Sequence, residues 1–119
     1  MTTAPRGRPR TLESVTTRLE TEHGALYVTV SLDAGGRPVE VFGNLGKAGG
    51  FEHGVAELAC RLISLHLRRD TPLEEVVAQC RGVQEMQPWP NVLPDGRHTY
   101  VLGLGDGVAQ AQEYLGHAA

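Results

Sequence analysis

The chain has 119 residues and a mass of 12.8 kDa, which fits one domain of ordinary size. Apolar residues make up 40% and charged residues 21%, with fifteen glycines and two cysteines, which excludes a disordered chain, a collagen-like repeat and a disulfide-rich mini-protein. The net charge of -3 is uneven: Arg6, Arg8 and Arg10 precede any acid, and the rest carries eight basic and fourteen acidic side chains, a poor match for a phosphate backbone.

Residues 1–12, with Pro5, Gly7 and Pro9, read as a flexible tail. They hold no apolar stretch of the secretory type, and no run in the chain nears the roughly 18 apolar residues of a membrane span. The expectation is a cytoplasmic protein without nucleic-acid or membrane partners. Residues 13–116 read as a single domain.

From Val15 the pattern has period 2. Val15, Thr17, Leu19 and Thr21 alternate with Thr16, Arg18 and Glu20. After Glu22-His23-Gly24, Leu26, Val28, Val30 and Leu32 alternate with Tyr27, Thr29 and Ser31. A second turn at Asp33-Ala34-Gly35-Gly36 leads to Val39, Val41 and Leu45, with Glu40, Phe42 and Asn44 on the other face. Three strands joined by short turns predict an antiparallel meander.

Gly46-Lys47-Ala48-Gly49-Gly50 is a glycine loop, after which the period becomes helical. Val55, Leu58, Ala59, Leu62, Leu65 and His66 share one stripe, and Glu57 and Arg61 are spaced for a helix ion pair. A second helix is predicted from Thr71 as N-cap, Pro72 at the first helical position and Glu74 completing a capping box, with Gly82 as the stop. Residues 83–97 read as irregular, and Trp89, between two prolines, reads as a lid on the core in preference to a contact surface. His98 to Leu102 suggests a short fourth strand. The 103–107 stretch reads as a tight turn capped by Asp106, before a last helix from Val108 to Leu115.

These elements predict an α+β fold in two layers, an antiparallel three- or four-stranded sheet packed against two to three helices. The predicted core is Val15, Leu19, Leu26, Val28, Val30, Val39, Val41, Val55, Leu58, Leu62, Leu65, Val76, Val77 and Cys80. The opposite sheet face carries Arg18, Tyr27, Thr29 and Phe42, a mixture of polar and aromatic side chains that suits a partner surface.

Three features bear on chemistry. The glycine loop before a helix offers backbone N–H groups to an anion, with Asn44, Lys47, Gly49 and Gly50 as the candidate ligands and Arg61 or His53 as helpers. It lacks the spacing of a nucleoside-triphosphate loop, and a connector that needs positive φ accounts for it as well. The 103–107 glycines open no βαβ unit, so dinucleotide binding is rejected. His23, His53 and His98 would make a metal site only if the fold brought them together; none shows a zinc-binding spacing. No nucleophile–base pair is visible, and no cofactor is expected.

The strings Tyr27-Val28-Thr29-Val30, Val41-Phe42-Gly43-Asn44-Leu45-Gly46-Lys47-Ala48-Gly49-Gly50 and Arg61-Leu62-Ile63-Ser64-Leu65 closely resemble the TSCPD domain. That domain occurs at the C-terminus of vitamin B12-dependent (class II) ribonucleotide reductases and as small stand-alone proteins. The resemblance spans roughly residues 10–116. Where the family carries Thr-Ser-Cys-Pro-Asp, this chain reads Leu102-Gly103-Leu104-Gly105-Asp106, so only the aspartate remains. Where other family cysteines stand, it has Gln84-Glu85-Met86 and the neighbourhood of Phe51. Metal binding or thiol exchange would need thiolates at those places, and Cys60 and Cys80 fall on predicted helices instead. The resemblance therefore implies a member that keeps the fold without its cysteines. It implies no nucleotide reduction by these residues alone, since that chemistry belongs to the reductase's large catalytic barrel. The leading expectation is a non-catalytic binding or regulatory module that docks on a ribonucleotide reductase or on itself. The alternatives are a small anion- or nucleotide-binding protein or enzyme using the glycine loop and, more weakly, a histidine metal site.

Overall fold

The computed structural model describes residues 12–46 and 50–118. The tail reading falls almost wholly outside them. Three strands, β1 (Glu13–Thr21), β2 (Gly24–Leu32) and β3 (Pro38–Leu45), form an antiparallel sheet in the order β1-β2-β3. Thr21 pairs with Gly24 across the first turn, where Gly24 takes a φ of +109° that a side chain would resist. Asp33 organises the second turn: its Oδ1 accepts the N–H groups of Gly35 and Arg37.

Alternation then sorts the faces. Leu19, Leu26, Val28, Val30, Val41 and Leu45 point inward and are almost completely buried. Two helices cover this face. α1 (Gly50–Arg68) packs over β3, and α3 (Leu104–Ala118) lies against β1 and β2. The short α2 (Leu73–Cys80) rests on α3. The α+β, two-layer expectation holds, with three strands in the main sheet.

A separate ribbon replaces the predicted fourth strand. β4 (Trp89–Val92) pairs with β5 (His98–Val101), not with the main sheet. β4 lay within the stretch read as irregular. Its Pro90 can sit in a strand because a two-stranded ribbon leaves one side of β4 unpaired. Trp89 is partly exposed on this ribbon and is no member of the core cluster, which corrects its reading as a lid.

On each edge of the main sheet a side chain imitates a strand at one residue. On β1, the Glu20 N–H donates to Asn91 Oδ1 at 2.7 Å, and Asn91 Nδ2 donates to the Glu20 carbonyl at 2.9 Å. On β3, the Val41 N–H donates to Ser64 Oγ at 2.8 Å, and the Ser64 hydroxyl donates to the Val41 carbonyl at 3.0 Å. Unpaired edge groups would otherwise invite strand addition. Ser64→Ala is expected to cost about 1–2 kcal/mol, because it strands two buried backbone groups. Urea unfolding measures this; an unchanged midpoint would show that the closure contributes nothing.

The helices depart most from expectation. α1 turns Ala56, Cys60, Ile63, Ser64 and Leu67 to the core, whereas Val55, Leu58 and Leu62 of the predicted stripe are exposed and Leu65 is only partly buried. Close approach explains the choice. A Cβ on Gly43 would lie 3.0 Å from Cys60 Sγ, so the face against β3 needs small residues. Val15 is also exposed, at the open start of β1. Among the described residues no ion pair joins Glu57 to Arg61.

The capping box of α2 does not form. Pro72 is its N-cap, with no side-chain bond, and Thr71 Oγ1 is instead 3.2 Å from His66 Nδ1. Gly82 does stop the helix, at a φ of +84°. α3 begins at Leu104, so residues read as a turn are helical. Its Val108, Ala109 and Ala111 are fully buried, which makes α3 a centre of the core rather than a closing element.

Candidate functional site

The face of the sheet opposite the helices is where sequence expectation and structure meet. Register sets Arg18 beside Tyr27 and Tyr27 beside Asn44 in one row, and Thr16, Thr29 and Phe42 in the next. Two β hairpins thus bring the three predicted surface residues together. The Arg18 guanidinium lies 5.8 Å from the centre of the Tyr27 ring, a cation–π contact, and its Nε is 2.8 Å from Glu20 Oε1. The Thr16 and Thr29 hydroxyls are 2.9 Å apart. Phe42 is 48% exposed. An arginine over one aromatic ring, with a second ring on β3 in the next row, supplies contact area of the kind enriched in interfaces.

This face runs into a cavity of about 680 Å³ between β3 and α1. Phe42, Gly43 and Asn44 form one wall, and His53, Glu57, Arg61 and Arg68 the other. The candidate Asn44 therefore lines the same cavity as both proposed helpers, His53 and Arg61. Gly50 opens α1 with a φ of +67°, the positive value that the connector reading required. Lys47 and Gly49 lie outside the described residues. Sequence reasoning missed Glu40, Glu57, Cys60, Ser64 and Arg68 in this cavity, because their place depends on how α1 crosses β3. The buried His53 Nδ1 and Arg68 Nε have no hydrogen-bond partner among the described residues.

The cysteines are held back from thiolate chemistry. Burial, with the nearby Cys80 adding to it, pushes the Cys60 thiol up to about 12, and burial also raises Cys80. Both are free thiols. A disulfide reagent at neutral pH is expected to modify the less buried Cys80 first, and Cys60 only as fast as the protein opens. Equal rates, followed by mass spectrometry of the labelled peptides, would contradict this.

The histidines do not converge. His23 Nε2 is 2.9 Å from Glu85 Oε2, His53 lines the cavity beside α1, and His98 stands on β5. Among the described residues no group of three or more metal-ligating side chains comes together. The metal reading thus fails on geometry. No described helix is long and apolar enough to cross a membrane.

These features define a small α+β scaffold with helices on one sheet face and a polar-aromatic surface on the other. The chain belongs to the TSCPD domain family, whose model matches residues 2–112. No curated protein and no solved structure matches it.

Proposed function

We propose that this protein is a non-catalytic docking module, working in the cytoplasm, that binds a ribonucleotide reductase. One observation carries the reading: Arg18, Tyr27 and Phe42 gather on the sheet face opposite the described helices. Family membership supports a reductase as the partner class. The test is binding of the full chain to the reductase of the same cell. Tyr27→Ser combined with Phe42→Ser should weaken binding at least about tenfold while the fold persists, because neither ring belongs to the core cluster. Absence of binding, or equal binding by the double variant, would refute the reading.

The cavity beside α1 favours a second reading, a small anionic ligand. Arg61 and Arg68 offer charge, and the buried Arg68 Nε and His53 Nδ1 await partners. Phosphate and nucleotide titrations, followed by backbone amide shifts, should then move Gly43, Asn44 and His53. No shift at millimolar ligand removes this reading and leaves the docking module untouched.

A further inference from the structure

Polar side chains gather without partners in the cavity between β3 and α1. Asn44, His53, Glu57, Arg61 and Arg68 all line it, and among the described residues none of them makes a side-chain hydrogen bond or an ion pair. Arg18, Arg37, Arg81 and Arg97, by contrast, each hold a carboxylate at 2.7 or 2.8 Å. Glu57 and Arg61 are one helical turn apart, in the order that favours an ion pair, and still do not pair. Charged groups left open in one cavity are groups that a ligand can pair.

The cavity has two ends. Ser64 holds both backbone groups of Val41, which seats the later half of α1 against the middle of β3. Arg61 and Arg68 stand about one turn to either side of Ser64 on the same helix face. Glu40 is buried beside Val41, and two guanidiniums against one carboxylate leave this end positive. Asn44, Glu57 and His53 line the other end, where β3 hands over to α1. Four residues of helix, about 6 Å of rise, separate Glu57 from Arg61.

We infer that this cavity takes a sugar phosphate, with the phosphate on Arg61 and Arg68 and the sugar hydroxyls on Glu57 and Asn44. This rests on the anionic-ligand reading of the same cavity and narrows it. A bare anion would meet the like charge of Glu57 and leave that carboxylate unpartnered. A hydroxylated anion satisfies both ends: the guanidiniums donate to phosphate oxygens, and sugar hydroxyls donate to the carboxylate. Two guanidiniums also match the near-double charge of a phosphate monoester better than the single carboxylate of an amino acid. The volume of about 680 Å³ lies in the usual range of small-molecule sites. The half-exposed Phe42 ring forms part of the wall and offers a stacking surface to the base when the sugar phosphate belongs to a nucleotide.

Calorimetric titration of the full chain with ribose-5-phosphate, adenosine monophosphate, ribose, inorganic phosphate and alanine tests this. Ribose-5-phosphate should bind at least about tenfold tighter than inorganic phosphate, and ribose should not bind at millimolar concentration. Arg61→Gln and Arg68→Gln should each weaken ribose-5-phosphate about tenfold. Glu57→Gln should weaken it about threefold to tenfold and leave inorganic phosphate as tight or tighter. None of the three residues belongs to the core cluster, so circular dichroism should not change. Tighter binding of adenosine monophosphate than of ribose-5-phosphate assigns the sugar phosphate to a nucleotide, and weaker binding to a free sugar; either order supports the class. Tighter binding of alanine would overturn the proposal. Equal affinity for inorganic phosphate and ribose-5-phosphate, or no effect of Glu57→Gln, would overturn it and leave a simple anion site. No heat and no amide shift at Gly43, Asn44 or His53 with any probe would remove the anionic-ligand reading as well.

Discussion

Asp106→Ala is expected to destabilise the protein by about 3–5 kcal/mol, a large share of the 5–15 kcal/mol typical of a domain this size. Asp106 is fully buried in the first turn of α3. Its Oδ1 accepts from Arg81 Nη1 at 2.7 Å and from the Gly82 N–H at 2.8 Å. Its Oδ2 accepts from the Leu102 N–H at 3.0 Å and from Gln110 Nε2 at 2.7 Å. One carboxylate thus ties the end of α2, the exit of β5 and two turns of α3. Alanine leaves two backbone donors and the Gln110 amide without that partner, and takes one of two carboxylates from the half-exposed Arg81, which keeps Glu113 at 2.8 Å. In thermal unfolding the midpoint should fall by roughly 10–20 °C.

The same site sets a pH dependence. Burial on its own raises the Asp106 carboxyl, but hydrogen bonds from Gly82, Leu102, Arg81 and Gln110 outweigh it and hold the pKa below the ordinary carboxylate value. A depressed folded pKa means that the unfolded chain binds the proton more readily. The stabilisation is therefore fully present above about pH 4 and is lost as pH falls through the folded value. Asp106→Asn should be less stable at neutral pH and should lose less on acidification. A variant with the same acid slope as the parent would contradict this assignment. The work of Asp106 here is structural: it joins α2, β5 and α3 through four hydrogen bonds.

Leu26→Ala is expected to cost about 3–5 kcal/mol. Leu26 is completely buried at the centre of the sheet. Its Cδ2 fills the place where a Cβ on Gly107 would sit, at 2.9 Å, and Val101 Cγ1 would lie at 3.3 Å from that Cβ. Gly107→Ala alone should therefore overpack the contact between α3 and the sheet, at about 1–3 kcal/mol. The two changes should not add. Removing the Leu26 methyls vacates the space that the new Cβ needs, so the double variant should be more stable than the sum of the single effects predicts. Strict additivity in urea unfolding would show that α3 is not seated on Leu26 as described.

The meander was legible because two signals agreed, a period of two and turns whose glycines meet φ requirements. That agreement also brought Arg18, Tyr27 and Phe42 onto one face, since register between neighbouring strands follows from the short turns. α1 was legible as a helix but not in its orientation. It carries two apolar stripes, and the larger side chains lie on the one that faces out. Only the close approach of Gly43 to Cys60 decides for the smaller ones. The start of α3 was hidden by Gly103, Gly105 and Gly107, poor helix formers that burial overrides. Gly103 is needed for packing, because a Cβ there would lie 2.9 Å from Glu85 Cγ. Glu85 in turn satisfies the Leu104 N–H at 2.9 Å, a cap supplied from 19 residues away, which no local motif announces. Asn91 and Ser64 escaped notice for the same reason: their partners at Glu20 and Val41 are distant in the chain.

Contact through the sheet face opposite the described helices is the claim on which the functional account rests, and hydrogen–deuterium exchange of the full chain with and without the reductase addresses it most directly. The account predicts slower exchange in β1, β2 and β3, centred on Arg18, Tyr27 and Phe42, with the α2 amides unchanged. Identical exchange in both samples, or protection confined to α2 and the β4–β5 ribbon, would contradict it.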